Sequence, residues 1–129
     1  MPGPLILVVE DNALNAKLLR DVLNARGYEV AETTTAEEGI ELARSRQPSL
    51  ILMDIHLPGM DGISALRVLK QDEATRNIPV IAVTASVMPM ERQEIMAAGF
   101  SGYQAKPLSV KELTAEMARF VDPPAGDGK

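Results

Sequence analysis

The sequence contains no cysteine and only one histidine among its 129 residues. Without cysteine the chain forms no disulfide and has no thiolate chemistry, which agrees with a reducing compartment. The single histidine, His56, leaves too few partners for a catalytic triad or for a zinc site. These two absences exclude thiol-based catalysis and histidine-based catalytic or metal centres.

Long hydrophobic runs and an excess of positive charge are also missing. The longest apolar stretches are far shorter than the roughly 20 residues that span a bilayer. The first residues, MPGPLILVVED, have no basic segment and soon reach acidic residues, unlike a signal peptide. The net charge of −5 disfavours direct nucleic-acid binding, which needs a basic surface. We therefore expect a cytoplasmic protein with neither a membrane nor a nucleic-acid partner.

Length and composition fit one folded domain. A chain of 129 residues, 46% of them hydrophobic, is large enough to bury a core and too apolar to be disordered throughout. We assign residues 1–121 to this domain. The last residues, 122–129, read DPPAGDGK, and we expect them to be a disordered tail or the stub of a linker.

Short apolar runs alternate with helical patterns five times along the chain. Predicted helices begin at the capping residues Asn12, Thr35 and Ser109 and at positions 62 and 88, and Glu38 completes a capping-box pattern with Thr35. This alternation predicts an α/β domain with a five-stranded parallel sheet and right-handed crossovers. The flavodoxin-like, doubly wound order 2-1-3-4-5 is the simplest one, because it makes the three most apolar strands central. The predicted strands are 5–9, 28–32, 50–53, 79–83 and 103–105.

Polar residues lie at the ends of four of these apolar runs. Glu10 and Asp11 follow the first, Asp54 ends the third, Thr84 ends the fourth and Lys106 follows the fifth. The carboxyl ends of parallel strands form one rim, and ligands bind in the crevice outside it. Three carboxylates at one rim repel each other unless a cation joins them, and Mg²⁺ prefers oxygen ligands of this kind. The sequence thus predicts a metal-assisted acidic pocket with one hydroxyl and one ammonium beside it.

Most of these residues also have a simpler explanation. Glu10 and Asp11 could serve only the first helix, since acidic residues are favoured at a helix start. Thr84 could be an ordinary strand residue, and Lys106 a surface lysine. Asp54 is harder to explain in this way, because it interrupts an apolar run and a charge there is costly unless it is paired or metal-bound. A carboxylate can also act as a nucleophile and form an aspartyl-phosphate.

The motifs VVEDN, LILMDIHLPGMDG, IPVIAVTA and YQAKP together resemble the receiver domain of two-component response regulators. The resemblance extends from about Leu5 to Phe120. Within the family the sequence is most similar to stand-alone receivers of the chemotaxis and cell-division type, and it is also similar to receivers attached to hybrid kinases. Residues 1–121 would then be the receiver domain. The resemblance implies a histidine kinase or a histidine phosphotransfer protein as phosphoryl donor and a downstream protein as effector. We expect a monomer.

The resemblance also implies the phosphoacceptor and the metal ligands. Asp54 matches the phosphoacceptor. Asp11, Asp54 and the backbone carbonyl of His56 match the ligands of Mg²⁺, or of Mn²⁺ in its place, and Glu10 matches an acid that holds the metal through water. His56 and Ser86 occupy two positions that differ between family members and tune dephosphorylation there.

Further residues match the family's phosphate-binding and switching positions. Thr84 matches the switch hydroxyl and Lys106 the phosphate-binding lysine, while Ala85 leaves room for a phosphoryl oxygen. Tyr103 matches an aromatic residue that changes rotamer on activation. Pro107 matches a proline whose preceding peptide bond is usually cis. Candidates for the partner surface, some of which core packing could also explain, are Leu14, Asn15, Leu18, Val87, Met88 and Met90.

Three other interpretations stay open at this point. A Mg²⁺-dependent phosphatase with an aspartate nucleophile would need a second acid two residues after Asp54, where the chain has His56. The chain could be a pseudo-receiver that is never phosphorylated, although the complete set of polar residues argues against this. It could also be a receiver cut from a hybrid kinase or a multidomain regulator. We expect no enzyme activity beyond self-catalysed phosphoryl transfer and autodephosphorylation.

Overall fold

The computed structural model describes residues 3–85 and 89–121. The predicted tail, 122–129, and the candidate residues Ser86, Val87 and Met88 lie outside these ranges. Five strands alternate with five helices in the described part of the chain. Their bounds are β1 (Leu5–Val9), α1 (Ala13–Ala25), β2 (Glu29–Thr33), α2 (Ala36–Arg46), β3 (Leu50–Asp54), α3 (Gly62–Gln71), β4 (Val80–Thr84), α4 (Pro89–Ala98), β5 (Gly102–Ala105) and α5 (Val110–Met117).

The five strands form one parallel sheet in the order β2-β1-β3-β4-β5, which confirms the predicted fold. Most strand bounds differ from the predicted ones by a residue. β3 and β4 extend one residue further than predicted, so that Asp54 and Thr84 are their last residues. Both residues therefore belong to the hydrogen-bonded sheet itself.

Side chains of the central strands are buried on both faces of the sheet, as in doubly wound folds. On one face Leu7 and Ile51 pack in a layer with residues of α2, α3 and α4. On the other face Ile6 and Leu52 pack in a layer with residues of α1 and α5. Each such side chain contributes about 1.5–3 kcal/mol when fully buried. The two layers fix the sheet between its helices and so fix the rim at the carboxyl ends of the strands.

The predicted N-caps are all present. The side chains of Asn12, Thr35 and Ser109 accept hydrogen bonds from backbone N–H groups three residues later. The capping box of α2, however, is not closed in the usual way. Glu38 accepts a hydrogen bond from the hydroxyl of Thr33, and that hydroxyl accepts one from the Thr35 N–H. Thr33 thus links the two ends of the box.

The spacing of the large apolar residues of α1 predicts one buried stripe formed by Leu14, Leu18, Leu19, Val22 and Leu23. This prediction is wrong in part. Leu19 and Leu23 are buried, but Leu14 is 77% exposed and Leu18 is 45% exposed. Successive helix residues are about 100° apart, so Leu18 cannot share the buried direction of Leu19. Core packing therefore explains neither Leu14 nor Leu18.

The spacing also predicts that the last helix buries a stripe of Val110, Leu113, Met117 and Phe120, and the stripe on α5 is shorter than this. Leu113 and Met117 are buried, whereas Val110, the first residue of the helix, is 37% exposed. The helix ends at Met117, so Phe120 packs against the core from the following turn. Among the described residues, no helix is long and apolar enough to cross a bilayer.

Candidate functional site

Backbone hydrogen bonds bring the polar strand ends to one rim. The N–H of Glu10 donates to Thr33 O at 3.0 Å, which continues the pairing of β1 with β2 beyond Val9. The N–H of Lys106 donates to Thr84 O at 2.8 Å, which continues the pairing of β5 with β4. Because β1, β3 and β4 are neighbours, the ends predicted to meet lie side by side.

A lysine joins two buried carboxylates at this rim. The Lys106 Nζ donates to Glu10 Oε2 at 3.1 Å and to Asp54 Oδ2 at 3.1 Å. The side chains of Glu10 and Asp54 are 1% and 5% exposed, and that of Lys106 is 18% exposed. The lysine therefore partly neutralises two acids that have little contact with water.

One oxygen of Glu10 is left without a hydrogen bond. Lys106 Nζ is also 3.1 Å from Glu10 Oε1, but only the contact with Oε2 has hydrogen-bond geometry. Oε2 additionally accepts from the Asn12 N–H at 3.2 Å. Glu10 Oε1 is buried and has no hydrogen-bond partner in the described part of the chain. A buried carboxylate oxygen in this state is costly unless something else binds it.

Burial dominates the electrostatics of Glu10. Removal from water raises the pKa of its carboxyl, and the nearby charge of Asp54 raises it further, while Lys106 only partly offsets both effects. For Lys106, burial alone would lower the pKa of the ammonium, but the hydrogen bonds to Glu10 and Asp54 outweigh it and the pKa is raised. The site therefore stabilises the charged form of Lys106, but this one positive charge does not fully compensate the negative charges of Glu10 and Asp54.

The acidic residues of the rim fit a divalent metal ion. Carboxylate oxygens of Glu10, Asp11 and Asp54 lie within 4.8 Å of one another. Three carboxylates and one ammonium leave a formal charge of −2, which a divalent cation would balance. The donors are all oxygens, as Mg²⁺ prefers, and Glu10 Oε1 accepts no hydrogen bond from the described residues. Asp11 is exposed, so the metal side of the site is open to solvent.

The loop after β3 also contacts the acids. The backbone N–H of His56 donates to Asp54 Oδ1 at 3.0 Å. Its imidazole points away into solvent, with Nε2 3.9 Å from Glu91 Oε2. The role of His56 in the described structure is thus a backbone role, and the ring is not part of the acidic cluster.

The remaining candidates lie around this cluster. Thr84 is buried at the end of β4, and the small residue Ala85 beside it is exposed. The peptide bond between Lys106 and Pro107 is cis. Tyr103 lies on β5 opposite Ala82 and packs partly against the layer formed with α2, α3 and α4.

Three contacts of the site escape sequence reasoning. Thr33 holds the backbone of Glu10, Asn12 donates to its carboxylate, and the guanidinium of Arg92 lies 4.8 Å from the centre of the Tyr103 ring. The sequence predicts Asn12 as a helix cap but does not predict its hydrogen bond to Glu10. The other two contacts join residues that are distant in the sequence and have no motif.

The partner-surface candidates are exposed to different degrees. Leu14 and Leu18 form an exposed apolar pair on α1, one turn apart, and Asn15 beside them is partly buried. Met90 is 78% exposed near the start of α4.

Comparison with known proteins decides the family. Residues 6–118 match the family model described as the response regulator receiver domain. The chain belongs to this family. It is similar to the polar-differentiation response regulator DivK of Brucella ovis, with 48% identity over 116 residues that cover 90% of this chain and 94% of DivK. As a receiver domain, the chain is a component of two-component signalling, as the sequence resemblance implied.

Solved structures agree with this assignment. The receiver domain of the sensor histidine kinase PA1611 from Pseudomonas aeruginosa PAO1, with a magnesium ion in its active-site cleft, has a TM-score of 0.85 and 35% identity, covering 92% of this chain and 97% of that one. The chemotaxis protein CheY4 of Vibrio cholerae has a TM-score of 0.86 at 23% identity, covering 92% and 99%, and so shares the fold. Histidine kinases are the general partners of such receivers.

Proposed function

We propose that this receiver domain takes a phosphoryl group onto Asp54 from a histidine kinase or a histidine phosphotransfer protein. The observation that carries the proposal is the buried cluster of Asp54, Glu10 and Lys106 with Asp11 at its open side. A carboxylate buried at 5% exposure beside a second acid is poorly placed for stability, since burial of charge is costly. It is well placed for a reaction in which charge must be held in position.

The proposed reaction is an in-line phosphoryl transfer. A carboxylate oxygen of Asp54 attacks phosphorus, the bond between phosphorus and the donor's histidine nitrogen breaks, and the electron pair returns to the imidazole. Such transfers depend on positioning and charge neutralisation more than on covalent help. Asp11, Asp54 and the His56 carbonyl would hold Mg²⁺ directly and Glu10 would hold it through water, and the ion would supply Lewis-acid neutralisation of the phosphoryl oxygens.

The chain's own residues do the rest. Lys106, which already contacts Asp54 Oδ2 at 3.1 Å, neutralises charge as the phosphoryl group arrives. The His56 N–H on Asp54 Oδ1 keeps the other carboxylate oxygen oriented. Thr84 and Ala85, at the end of the neighbouring strand, provide a hydroxyl and space for a phosphoryl oxygen. The domain acts as a phosphoacceptor that later loses the group by hydrolysis, and we expect no turnover of other substrates.

We further propose that phosphorylation switches the surface around α4, β5 and α5. Thr84 would turn towards the phosphoryl group, and Tyr103 would turn inward into the space that it leaves. Tyr103 must then leave its contact with Arg92, which costs about 0.5–1 kcal/mol for an exposed cation–π pair. This is small beside the ~5.5 kcal/mol that moves an equilibrium from 1:99 to 99:1. Arg92 would thus favour the resting state without locking it.

The exposed pair Leu14 and Leu18 is the proposed docking surface for the phosphoryl donor. The pair lies on α1, which begins two residues after Asp11 in the sequence. Exposed apolar residues that do not pack in the core are typical of interaction sites. Replacement of both by serine should slow phosphorylation by a kinase or phosphotransfer protein and leave labelling by acetyl phosphate unchanged, because the small donor needs no docking surface. Met90 is the described candidate for effector binding. We expect a cytoplasmic monomer.

The test is the mass of the intact protein after incubation with acetyl phosphate, with and without Mg²⁺. The wild type should gain one phosphoryl group only when Mg²⁺ is present, and Asp54→Asn should gain none. Equal gain in both proteins would show that another residue is the acceptor. No gain in the wild type, even with a purified histidine kinase, would favour a pseudo-receiver, and release of phosphate from a small ester would favour the phosphatase alternative.

A further inference from the structure

The loop between β3 and α3 closes tightly on the backbone of Asp54. The N–H of Gly62 donates to Ile55 O at 2.9 Å, and Gly62 is buried. A methyl group on Gly62 would lie 2.6 Å from Asp54 O and 2.9 Å from the Ile55 Cα. Both of these neighbours are backbone atoms, so no side-chain rotation can relieve the overlap. Residue 62 must therefore lack a side chain for the loop to close in this way.

The closed loop carries the groups that orient the acceptor. Between Ile55 and Gly62 lies His56, whose N–H donates to Asp54 Oδ1 at 3.0 Å. The same residue would present its carbonyl to the metal. A side chain at position 62 would push against the backbone of Asp54 and Ile55, and His56 is the next residue. It would therefore displace both the Asp54 carboxylate and the His56 carbonyl.

We propose that Gly62 is a positioning residue, whose missing side chain lets the loop from Ile55 to Gly62 hold Asp54 and His56 in place for metal binding and phosphoryl transfer. The inference rests on the proposed function for the roles of Asp54 and His56. It adds a residue that has no polar atom of its own beyond the backbone and touches no ligand.

Gly39 and Gly27 do not contact the backbone of Asp54. A methyl group on Gly39 would meet Val9 Cγ2 at 2.8 Å, a side-chain atom of the core and not the backbone of the acceptor. Gly27, with φ 93°, lies between α1 and β2 at the opposite edge of the sheet. Gly27→Ala is strained by its positive φ and so destabilises the fold without touching the rim, which makes it the matched control.

The first experiment compares Gly62→Ala, Gly27→Ala and the wild type without metal. Hydrogen exchange of the His56 amide, followed by NMR at equal folded fraction, reports the hydrogen bond to Asp54. In Gly62→Ala this amide should exchange at least about tenfold faster relative to core amides of β1, because the loop opens locally. In Gly27→Ala its rate relative to the same core amides should be unchanged.

Mg²⁺ binding by calorimetry is the second readout. Gly62→Ala should bind Mg²⁺ about tenfold or more weakly, since changes to the groups that orient metal ligands typically cost about 10–100-fold in metal affinity. Excess Mg²⁺ should then restore part of the acetyl phosphate labelling. Unchanged exchange and unchanged Mg²⁺ affinity in folded Gly62→Ala would overturn the inference, and so would equal losses in Gly27→Ala.

A second variant keeps the test decisive if Gly62→Ala does not fold. Insertion of one glycine between Gly59 and Met60 retains Gly62 and lengthens a surface loop, a change that folds tolerate well. It should speed exchange of the His56 amide and weaken Mg²⁺ binding in the same way, and normal values would contradict the proposal. Failure of the wild type to bind Mg²⁺ would instead contradict the proposed function, while the exchange comparison would still judge the role of Gly62.

Discussion

An ion pair at the amino ends of the strands (the amino edge) is exposed, whereas the charged cluster at their carboxyl ends (the carboxyl edge) is buried. At the amino ends of the strands, Arg46 and Glu29 form an ion pair at 3.2 Å, with side chains 46% and 44% exposed. At the carboxyl ends, Lys106 binds Glu10 and Asp54, which are 1% and 5% exposed. The first pair is screened by water and contributes little. The second group is desolvated and strongly coupled, so it costs stability and holds reactive charge in place.

The largest effect on stability should come from removing the cation at the carboxyl edge. Lys106→Met leaves two buried acids without their ammonium, and we expect the free energy of unfolding to fall by about 2 kcal/mol at neutral pH without metal. Urea unfolding measures this. The lysine's pKa is raised, so its contribution is complete below its unfolded value near 10.5 and is lost as the pH rises through the folded value. A variant as stable as the wild type would contradict this account of the edge.

Glu10→Gln should have the opposite sign. The folded pKa of Glu10 lies above its ordinary value of 4.5, so the folded state binds a proton more tightly than the unfolded chain does. Wild-type stability should therefore fall as the pH rises from about 4.5 through the raised pKa. The glutamine variant lacks this loss, and we expect it to be about 1–2 kcal/mol more stable than the wild type at pH 7 without metal, and similar at pH 4.

The amino edge supplies the control for that pH dependence. Glu29→Gln removes an exposed carboxylate of the same type and should change stability little at either pH. Urea unfolding at both pH values, in EDTA, compares the two variants directly. If Glu29→Gln and Glu10→Gln behave alike, burial is not what distinguishes the two edges.

A smaller loss is expected at Thr33, which lies beside Glu10 at the carboxyl edge. Its buried hydroxyl links Glu38 and the Thr35 N–H, so Thr33→Val should cost about 1 kcal/mol while its shape is retained. Thermal unfolding measures the loss, and Thr114→Val, which removes an exposed helix hydroxyl, is the control. A Thr33→Val variant as stable as the wild type would show that the Thr33 hydroxyl does not stabilise the start of α2.

The smallest effect belongs to the amino edge itself. Arg46→Ala should change the free energy of unfolding by no more than about 0.5 kcal/mol, because the pair with Glu29 is exposed. Added salt should make even this difference smaller. A loss comparable to that of Lys106→Met would remove the contrast between the edges.

The sequence was sufficient for the sheet and for the rim, because both follow from local patterns. Apolar runs separated by capped helices predict strand order, and a polar residue such as Asp54 at the end of a run predicts a site where strands end in parallel. The direction of Leu14 and Leu18 could not be predicted in the same way. Which face of a helix meets the sheet depends on tertiary packing, and α1 has more apolar residues than its contact with the sheet uses.

Contacts over long sequence distances were also out of reach. Glu38 accepts a hydrogen bond from the hydroxyl of Thr33, although the capping-box pattern predicts the Thr35 N–H as its donor. The stacking of Arg92 on Tyr103 depends on the distance between α4 and β5. The steric requirement for glycine at position 62 also depends on a tertiary contact, because it comes from the backbone of Asp54.

We propose that Asp54, and neither of the other acids at the rim, receives the phosphoryl group. Reduction with borohydride converts an aspartyl phosphate into homoserine, which tandem mass spectrometry locates in the sequence. After acetyl phosphate and Mg²⁺, homoserine should appear at position 54 alone, and it should be absent when EDTA replaces Mg²⁺. Homoserine at position 11, or a phosphoryl gain with unmodified Asp54, would contradict the account.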